Sequence, residues 1–131
     1  MAASANILVV DDDAIVRRSL ARVLGEEGYR VDEAASGAEA VGLLEATRYE
    51  LVILDLHMPL LGGLTVLQHA RLRRPEIGIV VMTAFPTLEN AKESIELGAL
   101  EFLPKPLDAE EIRRVVSLAL SRRSVNEAWR C

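Results

Sequence analysis

Cysteine is nearly absent from this 131-residue chain. The single one, Cys131, has no partner for an internal disulfide, so a reducing, cytoplasmic setting is expected. Aromatic residues are scarce at 4%, yet half the residues are apolar and 27% are charged, which is the composition of a globular domain and not of a disordered chain. No apolar run approaches the roughly 20 residues that span a bilayer, and the opening "MAASAN" has neither a basic nor a long apolar region, so no membrane association or secretory signal is expected. A surplus of positive charge is also missing. The formal net charge of −5 argues against direct nucleic acid binding, and if DNA is a final target another domain must hold it. The only two histidines, His57 and His69, lack zinc-ligand spacing.

What the chain does have is a regular alternation of segment types. Strand-like runs occur at Ile7–Val10, Tyr29–Val31, Leu51–Leu54, Ile77–Val81 and Leu100–Leu103, each followed by a stretch of helical composition. "ILVV", "LVIL" and "IGIVV" are continuously apolar, as strands buried on both faces must be. Each helical stretch has its own start signal. Asp13 caps the first, which is expected to bury Ile15, Val16, Leu20, Val23 and Leu24 before Gly25 and Gly28 close it. Ser36 and Glu39 have capping-box spacing before Ala40, Leu43 and Leu44. Gly62–Gly63 precede a stripe of Leu64, Leu67 and Ala70, and Thr87 opens a helix expected to bury Leu88, Ala91 and Ile95 before Gly98. Asp108 opens the last, with Ile112, Val115, Val116 and Ala119 inside. Five βα units imply a doubly wound α/β fold, a parallel sheet with helices on both faces and function at the carboxyl ends of the strands.

At those ends the residue types converge on one chemistry. The first strand runs into Asp11–Asp12–Asp13, the third into Asp55, the fourth into Thr83, and Lys105 follows the fifth. Neighbouring parallel strands lie about 4.8 Å apart, so these side chains can share a pocket. Carboxylates packed together need a counter-charge, and a hard divalent cation such as Mg²⁺ supplies it. Thr83 and Lys105 suit a tetrahedral anion beside that cation, and Asp55, at the tip of an apolar strand, is placed to act as a nucleophile toward phosphorus. Asp13 is read as the helix N-cap alone.

The segments "ILVVDDD", "LVILDLHMP", "VVMTAF" and "EFLPKP", in this order and spacing, resemble the receiver (response-regulator) domain of two-component signalling over residues 6–122. The resemblance implies a flavodoxin-like fold with strand order 2-1-3-4-5, flanked by an N-terminal tail, residues 1–5, and a C-terminal tail or truncated linker, residues 123–131. It implies that Asp55 accepts a phosphoryl group from the phosphohistidine of a sensor histidine kinase or phosphotransfer protein, in a signalling receiver that is not an enzyme beyond catalysing its own phosphorylation and dephosphorylation. It further implies Asp12 as a direct Mg²⁺ ligand, Asp11 as acting through water or assisting, the backbone carbonyl of His57 as a further ligand, Thr83 and Lys105 on the phosphoryl oxygens, and a cis Lys105–Pro106 peptide. The aromatic switch position falls on Phe102, coupled to Thr83 and altering the surface built by the fourth helix, fifth strand and fifth helix, a face that also permits a homodimer.

Several positions depart from the usual pattern. Phe102 has no hydroxyl, so it signals by shape and burial alone. His57 and Phe85 occupy the two positions that tune hydrolysis, and because an apolar Phe85 cannot orient water, a long-lived phosphoryl state is expected. "MPLLGG" carries Leu60 and Leu61 beside the acceptor, with Leu61 packed inward as one reading and both leucines anchoring a partner as the other. His69 and the "RRSLAR" run from Arg17 read as solvated helix faces, though Ile15, Arg17 and Arg18 lie where family members meet the kinase. Two alternatives stand beside the receiver: a Mg²⁺-dependent aspartyl-phosphate phosphatase or phosphotransferase, and a pseudo-receiver that only mediates contacts. The first is opposed by His57 where such enzymes carry a second acid, and the second by the full set of acids, threonine and lysine.

Overall fold

The computed structural model describes residues 5–129, with side chains described through residue 122; Cys131 lies outside the described residues. Five βα units follow one another: β1 Asn6–Val10, α1 Ala14–Glu26, β2 Arg30–Ala34, α2 Gly37–Ala46, β3 Leu51–Asp55, α3 Gly63–Arg73, β4 Gly78–Thr83, α4 Leu88–Glu96, β5 Glu101–Pro104 and α5 Ala109–Trp129. The strands are parallel in the order β2-β1-β3-β4-β5, so the sheet has the doubly wound, flavodoxin-like topology with its switch point between β1 and β3.

The continuous apolar runs reflect a sheet covered on both faces. Alternate residues of a strand point to opposite sides. Leu8, Val10, Val52, Leu54, Ile79 and Val81 meet residues of α2 and α3, among them Ala40, Leu44, Val66 and Leu67. Ile7, Val9, Leu51, Ile53, Val80 and Met82 meet Leu20 and Leu24 of α1 and Ile112, Val116 and Ala119 of α5.

The caps act as their spacing predicts. Asp13 accepts from the Ile15 and Val16 amides, Ser36 from Glu39, Thr87 from Asn90, and Asp108 from Glu111. Glu39 returns a carboxylate to the Ala35 amide at 2.7 Å. Gly28 and Gly98 take positive φ, 96° and 102°, where a side chain would be strained.

Five expectations need correction. The second strand is Arg30–Ala34 and not Tyr29–Val31; as an edge strand bonded only to β1, it is largely exposed and carries no apolar run to mark its extent. Gly25 lies inside α1, which continues to Glu26, and Ile15 is 79% exposed. In α4 the inward residue is Ser94, while Leu88 (87%) and Ile95 (50%) are exposed: the helix, set between the Thr87 cap and Gly98, turns a stripe of Ala91, Ser94 and Leu97 toward the sheet. His69 is half-buried, with Nε2 2.9 Å from Glu45 Oε2 of α2, so it is not on a solvated face. The remaining strands differ from expectation by one or two terminal residues.

Candidate functional site

Register brings the strand ends level. Val10 pairs with Leu54, so Asp11 lies one step beyond β1 beside Asp55; Asp55 pairs with Met82, and Thr83 with Pro104, which sets Lys105 just past β5. Asp55 continues the Leu51–Ile53 row of its strand, and Thr83 continues the Ile79–Val81 row on the opposite face. Phe102 pairs with Val81 and packs half-buried against the same cluster, so it shares a sheet face with Thr83.

Each strand-end side chain is held by its own loop. Asp11 Oδ1 accepts the Asp13 amide at 2.9 Å, Asp55 Oδ1 the His57 amide at 3.3 Å, and Thr83 Oγ1 the Phe85 amide at 3.0 Å. Since the Thr83 oxygen accepts, its hydroxyl proton remains available to donate. Asp11 and Thr83 are fully buried, Asp55 is 3% exposed, and Asp12 is exposed.

The electrostatics are unbalanced. Lys105 Nζ sits 2.8 Å from Asp11 Oδ2 and 3.5 Å from Asp55 Oδ2. The first is a close ion pair, so the ammonium is held chiefly by Asp11. Burial raises the Asp55 carboxyl from 3.8 to about 6; the Asp11 charge adds to the rise, and Lys105 and the His57 amide oppose it. For Lys105, burial works against the ammonium, but Asp11 and Asp55 favour it more strongly, and its pKa is raised. Carboxylate oxygens of Asp11, Asp12 and Asp55 lie within 4.8 Å of one another. Three clustered carboxylates with a single ammonium among them form a set of hard oxygens that fits a divalent cation.

Around this cluster, the His57 and Phe85 rings meet edge to face, centroids 5.7 Å apart at 83°, joining the loops after β3 and β4. Leu61 packs inward against the core, while Leu60 is fully exposed at φ 67°. The Lys105–Pro106 peptide is cis. Two supports went unseen in the sequence. A Cβ on Gly63 would lie 2.5 Å from the Asp55 carbonyl oxygen and 2.6 Å from Leu56 Cα, so glycine is required for α3 to start against the end of β3. Arg17 does not lie on a solvated face; it folds back onto the Asp11 carbonyl and Glu33.

A family model described as the response regulator receiver domain matches residues 7–117. The chain is 37% identical over 118 residues to sporulation initiation phosphotransferase F of Bacillus subtilis (strain 168), covering 90% of this chain and 95% of that protein. It is 40% identical over 121 residues to response regulator MprA of Mycobacterium sp. (strain KMS), covering 92% of this chain but 53% of that protein, so it spans about half the length of that relative. Among solved structures, the CheY-like receiver domain protein of Methanospirillum hungatei JF-1 superposes with a TM-score of 0.90 at 28% identity, covering 93% of this chain and 98% of that one. NtrX of Brucella abortus gives a TM-score of 0.90 at 29% identity, covering 95% of this chain and 29% of that one. With its sheet order, its acidic cluster and these matches in agreement, the chain belongs to the response regulator receiver domain family.

Proposed function

We propose that this receiver takes a phosphoryl group onto Asp55 from the phosphohistidine of a histidine kinase or phosphotransfer protein, and that this changes the α4–β5–α5 surface. The observation that carries the reading is the convergence of Asp11, Asp12 and Asp55 with Lys105 at the carboxyl edge of the sheet. In the transfer, an Asp55 carboxylate oxygen attacks phosphorus, the phosphorus–nitrogen bond of the donor breaks, and the imidazole leaves with its electron pair. Asp12, with Asp55, the His57 carbonyl and Asp11 directly or through water, would hold Mg²⁺, which neutralises charge on the transferring oxygens. Lys105 then shares its ammonium with the new oxygens, and the free Thr83 proton donates to them.

The Thr83 movement is the proposed link to output. Phe102 lies on the same face of the sheet, half-buried, and gains room to turn inward as Thr83 shifts toward the phosphoryl group. Leu88, Ile95 and Leu118, exposed on α4 and α5, suit the responding face to protein contact, including with a second copy. Of the charges there, Glu101 already pairs with Arg122 and Arg113 with Glu27. We take residues 6–122 as the receiver unit and 123–131 as its exit, although the α5 backbone continues to Trp129. No described helix is long and apolar enough to cross a membrane. From the single cysteine and the formal net charge of −5, we place the protein in the cytoplasm, without direct nucleic acid binding.

The test is intact mass after incubation with Mg²⁺ and acetyl phosphate. One phosphoryl addition that disappears in Asp55→Asn supports the receiver. Turnover of small phosphoesters points to an aspartyl-phosphate phosphatase instead, and no addition points to a contact-only pseudo-receiver.

A further inference from the structure

Arg17 lies in the second turn of α1, and its side chain is 12% exposed. Nη1 donates to the backbone carbonyl of Asp11 at 2.9 Å, and Nε donates to Glu33 Oε1 of β2 at 3.0 Å. The Asp11 amide is bonded at 3.1 Å to the Ala34 carbonyl, also on β2. The peptide groups on both sides of Asp11 are therefore tied down, the first by the neighbouring strand and the second by an arginine that Glu33 aims. Beyond that carbonyl the chain leaves the sheet and immediately supplies Asp12.

We propose that Arg17 is a positioning residue for the cation site, fixing the loop from β1 to α1 so that the Asp11 and Asp12 carboxylates face Asp55 before the metal arrives. The inference rests on the metal role assigned above to those aspartates. It competes with a plain electrostatic account in which Arg17 is only a positive charge near three acids. The two accounts differ in sign. A nearby cation repels Mg²⁺, so removing it must tighten binding if charge is all that matters, and the change must fade as salt screens it. Removing a group that orients ligands weakens metal binding, by about 10-fold or more.

The experiment is calorimetric titration of Mg²⁺ into wild type, Arg17→Met, Arg17→Lys, Glu33→Gln and Asp12→Asn, at low and high ionic strength. Arg17→Met is expected to raise Kd about 10-fold at both. Arg17→Lys keeps the charge but loses the planar fork that reaches a carbonyl and a carboxylate together, and is expected to weaken binding similarly. Glu33→Gln should have a smaller effect in the same direction. In metal-free protein, the Asp12 and Asp13 amides should exchange hydrogen faster in Arg17→Met, a readout that does not depend on the cation. Binding as tight as wild type or tighter in Arg17→Met and Arg17→Lys overturns the proposal. If Arg17→Met does not fold, Arg17→Lys decides on the same terms, because Glu33→Gln lowers the local negative charge and weakens binding under either account, and only persistence of its effect at high salt favours positioning. Wild-type binding absent, or unchanged in Asp12→Asn, overturns instead the metal reading on which the proposal stands.

Discussion

Replacing Asp55 with Asn is expected to stabilise the metal-free protein, although it removes the proposed acceptor. Burial, reinforced by Asp11, lifts the Asp55 carboxyl from 3.8 to about 6 despite Lys105 and the His57 amide. At about 1.4 kcal/mol per pH unit, ionising Asp55 inside the fold costs on the order of 3 kcal/mol more than in the unfolded chain. Below about pH 3.8 the group is protonated in both states and costs nothing. As pH rises the unfolded chain releases its proton first, so the stability associated with this group is lost up to about pH 6 and its contribution is level above that. Asparagine stays neutral throughout and carries no charge to repel Asp11. Urea unfolding followed by circular dichroism, in EDTA across this range, should show no gain for Asp55→Asn at the acid end. Near neutrality the midpoint should rise by about 1–3 M, for a slope of roughly 1–3 kcal/mol per M. Mg²⁺ at about 100 times its Kd adds about 2.7 kcal/mol to the wild type and should close most of the gap. Equal stability of the two proteins near neutral pH without metal, or a gain that does not vary with pH, would refute the claim that the site is strained.

Gly63→Ala sets a methyl against the Asp55 carbonyl and Leu56 backbone, which cannot yield as a flexible side chain can; a loss of about 2–3 kcal/mol by urea unfolding and slower phosphoryl uptake are expected. Ser94→Ala removes a buried hydroxyl that has no hydrogen-bond partner, so thermal unfolding should show a gain of about 1 kcal/mol, and a loss would mean the hydroxyl is satisfied in solution. Phe85→Glu breaks the edge-to-face contact with His57 and adds a group that orients water; decay of the phosphorylated protein in Mg²⁺, followed by intact mass, should accelerate by at least about tenfold.

Much of this was legible in the residues because burial leaves a strong pattern. β1, β3 and β4 are covered on both faces, so their apolar runs are unbroken and the polar residue ending each run marks the functional edge. The edge strand β2 has a largely exposed pattern, and no run of residues marked where it lay. The orientation of α4 was misjudged for a related reason. Its apolar residues are few, and an apolar stripe assumes that the most hydrophobic side chains face inward, whereas here the small Ser94 does so and Leu88 and Ile95 remain out. Arg17 and Gly63 were missed because their roles depend on contacts distant in sequence or on backbone proximity. A helical arginine reads as solvated until a carbonyl and a carboxylate are found beneath it.

The upward shift at Asp55 persists with Lys105 already included, and this bears on why the proposed reaction needs a cation. An ammonium 3.5 Å from Asp55 and 2.8 Å from Asp11 is shared between two carboxylates, and it does not offset the burial of one plus the charge of the other. Arg17 donates to the Asp11 carbonyl and to Glu33, so these hydrogen bonds go to neither the Asp11 nor the Asp55 carboxylate. A nucleophile must be ionised, and the more deeply Asp55 is buried from competing water, the harder that ionisation becomes. Excluding water from the acceptor and keeping the acceptor reactive are therefore opposing demands on one side chain. The chain meets the first with its own residues; for the second it offers three clustered carboxylates and a single ammonium shared between two of them, a set of hard oxygens that a divalent cation would balance.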